Sequence, residues 1–277
     1  MESDELARNT REDIGRIAAQ LARMGWAEAN AGNISVLLPD GSDESLWHGD
    51  MVTEELPEPV PELAGRTFLI TTAGSRFRRL MSDLEKEVVP VRVTSDGMKT
   101  VRVASDKKPT SEFSSHLLVL AEAVNRGWPT ASLVHTHSTH MLALSSSDLP
   151  AEMLEDAVNR SHPEISVLMK RGVRFLDFVT PGTWKLGEAT AAAFRESDCV
   201  IWRKHGILGL GLDIDSACDA VEVVEKAARL LLLEKSAFGK FVGLKDRELS
   251  ISRDGDSENE EPGEETGTLP PGPPVIE

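Results

Sequence analysis

Cysteine is scarce in this chain of 277 residues: Cys199 and Cys218 are the only two, each in an apolar context. Two thiols do not make a disulfide framework, and both read as small buried hydrophobes. No run of about 18 or more apolar residues occurs, which excludes a membrane-spanning helix. The start, Met1-Glu2-Ser3-Asp4-Glu5, lacks the basic stretch and apolar segment of a secretory leader, so a cytoplasmic location is expected. Neither a G-x-x-x-x-G-K-[ST] loop nor a G-x-G-x-x-G turn opening a helix is present, so P-loop and Rossmann nucleotide sites are not expected. There is no internal repeat. Positive charge is in deficit, with 30 Lys and Arg against 46 Asp and Glu, a net −16 that disfavours nucleic acid and anionic membranes.

That acidity is uneven. From Ser252 to Glu277 eight acidic residues face a single arginine, which accounts for −7 of the −16. Residues 252–277 are also rich in Pro and Gly without apolar periodicity, and read as a disordered tail after a catalytic domain over 1–251. The domain then carries about −9, so a pocket for an anionic substrate must be a local feature.

Hydrophobic content of 40% suffices for a sizeable core. Apolar spacing predicts an amphipathic helix over 4–24, ended by Gly25. Strands are expected over 34–38, 45–48, 67–71, 88–94, 98–104, 131–137, 165–169, 173–179, 198–202 and 207–210, with 49–65 an irregular loop. Ser95-Asp96-Gly97 marks a hairpin. Helices are expected after Thr72-Ala73-Gly74-Ser75, from Thr110 or Ser111 as cap to about Gly127, over 138–145, 150–160 and 184–196, and from Asp213 to about Phe238. Hairpins exclude an all-parallel sheet. The expected fold is α/β, an α+β layered domain with a mixed, mostly antiparallel sheet flanked by helices.

The chemistry centres on Ala131–Ser138. In a strand, residues two apart project to one side, so His135 and His137 point into one space, where two imidazoles suit a divalent transition metal or are simply polar residues at a strand end. The Asn30-Ala31-Gly32-Asn33 loop reads as a turn or as a set of amides offered to an anion. Thr72–Ser75, followed by Arg76, Arg78 and Arg79, reads as a phosphate cradle or the start of a solvated helix. Glu112 suits the first turn of its helix, and His116, one turn on, reads as a packed helix residue. His140 falls outside the strand period and is left out of the site. His205 reads as turn filling.

Taken together, Gly25-Trp26-Ala27-Glu28-Ala29-Asn30-Ala31-Gly32-Asn33, Pro109-Thr110-Ser111-Glu112, His135-Thr136-His137 and Lys204-His205-Gly206 resemble the class II aldolase/adducin family over roughly residues 10–240. The Gly-Trp-Ala-Glu opening and the inserted segment around 40–65 favour its rhamnulose-phosphate branch. The resemblance implies one zinc per subunit on His135, His137 and His205, and Glu112 as acid/base. It also implies a substrate phosphate held by Asn30, Gly32, Asn33, Gly74, Thr110 and Ser111, and a second glutamate, Glu164, reaching a neighbouring subunit's site in a homotetramer. The implied reaction is reversible cleavage of a ketose 1-phosphate to dihydroxyacetone phosphate and an aldehyde. Relatives tend to have Thr-Gly-Ser/Thr-Gly where this chain has Thr71-Thr72-Ala73-Gly74, which removes a hydroxyl from the cradle. The alternatives are a fuculose-phosphate aldolase, a pentulose-phosphate 4-epimerase, a methylthioribulose-phosphate dehydratase, a non-catalytic adducin-like module, and a zinc hydrolase from outside the family.

Overall fold

The computed structural model of the chain describes residues 2–41 and 46–254. Within them one sheet is formed by β1 (Asn33–Leu37), β2 (Met51–Glu55), β3 (Thr67–Thr71), β4 (Val88–Val93), β5 (Lys99–Val103), β6 (Ala131–Thr136), β7 (Val173–Leu176), β8 (Cys199–Trp202) and β9 (Gly206–Gly211). The strand order is β2-β5-β4-β3-β1-β6-β9-β8-β7. Neighbours are antiparallel except for the parallel pair β7–β8 at one edge. The mixed, mostly antiparallel sheet follows the expectation.

Helices cover both faces: α1 (Glu2–Arg23), α2 (Leu84–Glu87), α3 (Phe113–Asn125), α4 (Thr139–Ser145), α5 (Ala151–Asn159), α6 (Pro163–Leu168), α7 (Trp184–Phe194), α8 (Ile214–Phe238) and α9 (Asp246–Asp254). Alternation along the strands divides the core in two. Ile34, Val134, Ile201 and Ile207 pack under α1, α5 and α8. Leu37, Leu133, Val200 and Leu208 pack under α3 and α7. Both cysteines are free and buried, and burial pushes the Cys218 thiol up to about 12, consistent with their reading as apolar filling.

Local chemistry sets several boundaries. The α8 N-terminus is a capping box, in which Asp213 Oδ1 accepts from Ser216 N at 2.7 Å and Ser216 Oγ takes the Asp213 N–H at 3.2 Å. In the β4–β5 hairpin, Asp96 Oδ1 accepts from Thr94 Oγ1 and Met98 N, and Gly97 turns the chain at φ +71°. A Cβ at Gly97 would also sit 3.0 Å from Pro61, so glycine is required twice over.

Several expectations need correction. The loop over 49–65 contains β2, whose side chains are mostly exposed at the sheet edge and therefore show no apolar alternation. Residues 165–169 belong to α6, not a strand: Pro163 occupies the first turn, where its missing N–H is harmless, and the apolar run Ile165–Leu168 is helical. The segment after Ser75 is a 3-10 stretch, Phe77–Ser82, not an α-helix. No strand forms over 46–48, and Ser45 lies outside the described residues. α9 also crosses the expected boundary at 252, with Ser252 Oγ 2.7 Å from Ser166 Oγ; residues 255–277 lie outside the described residues. No helix among the described residues is long and apolar enough to cross a membrane.

β9 and α8 pack without an intervening side chain at Gly209, where an added Cβ would lie 2.2 Å from the Ala217 carbonyl oxygen. Gly209→Ala is expected to destabilise the fold by about 2–3 kcal/mol, since backbone must move to admit the methyl. A urea titration followed by circular dichroism checks this as a lowered midpoint.

Candidate metal centre and active site

The site forms where three central strands end together. Register sets Asn33 of β1 opposite His135 of β6, and His135 opposite Leu208 of β9. His137 follows just beyond β6, its N–H donating to the Trp26 carbonyl at 2.8 Å. His205 comes from the turn joining β8 to β9. That turn is tight enough that Lys204 adopts φ +61° and a Cβ at Gly206 would meet His135 Cε1 at 2.6 Å. The only other non-glycine residue with positive φ among those described is Ala29, in the loop on the opposite wall. Backbone in this region is disfavoured for L-residues and is held by surrounding contacts. Here Lys204 N donates to Ser145 Oγ at 3.1 Å, and Ala31 N to the Glu28 carbonyl at 2.8 Å.

The three imidazoles surround one point. Their centroids are 5.1–5.3 Å apart with planes at 67–73°, and each ring offers a nitrogen within 4.8 Å of the others. His135 Nδ1 lies 3.0 Å from the Ile207 carbonyl, which can only accept, so Nδ1 carries the proton and Nε2 a lone pair. His137 Nδ1 lies 3.1 Å from Glu28 Oε1, which fixes the same tautomer. His135 Nε2 is buried without a hydrogen-bond partner, and burial pushes that imidazole down to about 3, so it is neutral near pH 7. A buried, unpartnered nitrogen beside two further imidazoles fits a divalent transition metal.

Glu112 lies against two of these rings, 3.1 Å from His205 Nε2 and 3.4 Å from His135 Nε2. It occupies the N-cap position of α3 but makes no side-chain cap there, and neither Thr110 nor Ser111 caps α3 as expected. Burial pulls its carboxyl upward, yet His135, His205 and Asn33 together hold it well below the usual carboxylate range. Asn33 Nδ2 donates to Glu112 Oε2 at 2.8 Å, and His205 Nε2 lies 3.1 Å from Oε1; both contacts favour the ionised carboxyl.

All of these groups open into one cavity of about 350 Å³. Asn30, Gly32, Asn33, Gly74, Thr110 and Ser111 line it together with Glu112 and the three histidines. Gly32, at φ +83°, passes 3.1 Å from the His135 carbonyl measured from an added Cβ, so the loop comes this close only as glycine. The structure does not bring Glu164 to this cavity: it lies at the start of α6, over half exposed, its Oε2 2.8 Å from His162 Nδ1. His140 is also elsewhere, donating with Met141 N to the buried Glu225 carboxylate.

Other contributors carried little sequence signal. Glu28 orients His137. Trp202, 3% exposed, lies under two of the three imidazoles with centroids 4.8 Å from His135 and 4.9 Å from His205, its indole N–H donating to Thr190 Oγ1 at 2.9 Å. Besides the hydroxyl missing at Ala73, two donors of the cradle are engaged elsewhere. The Thr72 hydroxyl donates to Glu87 Oε2 at 2.9 Å, and Ala73 N donates to the Lys108 carbonyl. No Lys or Arg is among the residues lining the cavity.

The sequence profile described as "Class II Aldolase and Adducin N-terminal domain" matches residues 12–232. A rhamnulose-1-phosphate aldolase of Listeria welshimeri is 32% identical over 232 residues, covering 80% of this chain and 82% of that protein. One of Enterococcus faecalis is 29% identical, covering 79% and 81%. The crystal structure of a sugar-phosphate aldolase from Thermotoga maritima superposes with a TM-score of 0.73 at 32% identity, covering 84% of this chain and 97% of that one.

Glu28→Ala removes the carboxylate that fixes the His137 tautomer while leaving all three imidazoles. Its affinity for Co²⁺ is expected to fall by about 10–100-fold, the usual effect of losing such a partner. Chelator competition followed through the visible bands of bound Co²⁺ measures this directly.

Proposed function

The chain belongs to the class II aldolase and adducin family as an aldehyde-lyase, and from that premise we propose that it is a zinc-dependent aldolase acting on L-rhamnulose 1-phosphate. The products would be dihydroxyacetone phosphate and L-lactaldehyde, in a reversible reaction. The observation that carries this proposal is the convergence of three imidazoles and one carboxylate in the same cavity as the amide- and hydroxyl-bearing loops. An adducin-like module has no use for such a donor set. The curated relatives of similar length support the rhamnulose branch.

In this proposal His135, His137 and His205 hold the zinc, which when bound supplies Lewis-acid polarisation of the substrate's carbonyl and neighbouring hydroxyl oxygens. Glu112 moves the proton at carbon. In cleavage the carboxylate takes the C4 hydroxyl proton as the C3–C4 bond breaks and passes it to the carbon that becomes the hydroxymethyl group of dihydroxyacetone phosphate; in the synthetic direction it takes that proton from carbon and returns it to the former aldehyde oxygen. A buried carboxylate whose Oε2 is tied to Asn33 is suited to this task. Asn30, Gly32, Asn33, Gly74, Thr110 and Ser111 line the space for the phosphate and the diol oxygens. Glu164 would act at the aldehyde end only if a homotetramer carried it to a neighbouring subunit's cavity.

The missing hydroxyl at Ala73 favours a second reading, the same chemistry on another ketose phosphate that is held less through its phosphate. Incubating zinc-loaded protein with L-rhamnulose 1-phosphate is expected to release dihydroxyacetone phosphate, and chelation to abolish the release. Glu112→Gln is expected to lower turnover by about 100-fold or more with zinc retained. Metal-dependent cleavage of other ketose phosphates, with L-rhamnulose 1-phosphate inert, would select the second reading. Release of inorganic phosphate would point to hydrolysis.

A further inference from the structure

Behind Glu112 lies a chain of buried polar groups that the scheme above leaves unused. Asn33 and Ser35 are two apart on β1 and project to the α3 side of the sheet. Glu112 and His116 are four apart at the start of α3 and face back toward β1. Asn33 Nδ2 donates to Glu112 Oε2 at 2.8 Å, Asn33 Oδ1 meets His116 Nε2 in a short hydrogen bond, and His116 Nδ1 lies 2.7 Å from Ser35 Oγ. Ser35 and His116 are 0% exposed, Asn33 and Glu112 6%.

The direction of every bond in this chain follows from the one before it. An ionised carboxylate can only accept, so Asn33 must turn its NH₂ toward Glu112. Its carbonyl then faces His116 and can only accept, so His116 carries its proton on Nε2. Burial pushes this imidazole down to about 4, leaving it a single proton, so Nδ1 has a lone pair and takes the Ser35 hydroxyl hydrogen. The opposite tautomer would swing the Asn33 carbonyl toward the carboxylate and set two acceptors face to face without water.

We propose that His116 is a positioning residue for Glu112: its Nε2–H fixes the Asn33 amide, which ties Glu112 Oε2, so that Oε1, here 3.1 Å from His205 Nε2, exchanges protons with the substrate carbon once a metal occupies that nitrogen. This rests on the assignment of Glu112 as the proton-transfer group. Without the Nε2–H, the Asn33 amide and the carboxylate it holds gain rotational freedom, so proton transfer slows while the metal and the phosphate end of the cavity keep their partners.

Two measurements test it. The first is the rate at which zinc-loaded protein exchanges the hydroxymethyl protons of dihydroxyacetone phosphate for deuterium, a reading of proton transfer that needs no aldehyde. His116→Leu is expected to slow exchange and kcat together by about tenfold or more, with KM and zinc content within about twofold. His116→Gln, which restores an N–H toward Asn33, is expected to recover to within about threefold of the native rate. Native-like exchange in His116→Leu, or His116→Gln as slow as His116→Leu, overturns the proposal, the latter because packing and not the donor would then be what matters.

The second measurement is the His116 tautomer, read from ring ¹⁵N shifts in histidine-labelled protein without substrate. A single Nε2–H form is expected, and it is expected to persist in Ser35→Ala, because the Asn33 carbonyl and not the Ser35 hydroxyl dictates it. An Nδ1–H form, or a mixture of the two, in the native protein overturns the proposal. This measurement also carries the test should His116→Leu fail to fold. Native protein with the Nε2–H tautomer and bound zinc that does not exchange dihydroxyacetone phosphate would retire the reaction assigned above and leave the relay to Glu112 standing.

Discussion

The register of β6 is the constraint on which the rest of the site depends. Pairing with β1 sets Asn33 opposite His135, and pairing with β9 brings the β8–β9 turn, and with it His205, to the same strand end. Side chains alternate along a strand, so a slip of one residue would turn His135 to the face covered by α8 and bring Leu133 and Val134 into the wrong core layers. The two apolar layers therefore hold the metal-site geometry, although they lie away from it. Gly206 and Gly209 sharpen this: the first lets the His205 turn close over His135, and the second lets α8 press on β9.

A second requirement is polar satisfaction in the middle of a large sheet. Ser35, His116, Asn33 and Glu112 are all buried, and leaving any one of their groups unpaired would be costly. They pair with one another in a ladder between one strand and one helix, with the catalytic cavity at its end. Local charge is handled in the same way nearby. The buried Glu225 carboxylate takes the free N–H groups at the start of α4, just after His137, and so fixes where the chain goes once it leaves the site.

How much of this was legible in the sequence depended on the range of the interaction. The period-two spacing of His135 and His137, the Ser95-Asp96-Gly97 hairpin and the Asp213 cap are local, and each stands where its residues implied. His205 joins the group through a turn some seventy residues along the chain, so only family resemblance could nominate it. β2 escaped because an exposed edge strand has no apolar face to alternate. The β-branched Ile165 and Val167 favoured a strand, yet Pro163 starts a short helix whose Ile165 packs inward. Glu28 and His116 were missed for a different reason. Each acts on another side chain rather than on the cavity, and the only local hint for His116 is that it stands one helical turn from Glu112.

The cavity that is to hold an anion has no basic side chain in its lining, in a protein of net charge −16. On the proposed function, binding there would draw on amide dipoles, hydroxyls and a metal on the imidazoles, with no lysine or arginine paired to the phosphate. Contacts of that kind are directional and short-ranged, so added salt weakens them less than it would a lysine–phosphate pair. Selection then acts on where the ligand's oxygens sit more than on how many negative charges they carry. A ligand of the right charge and the wrong outline gains little at the phosphate end of such a pocket.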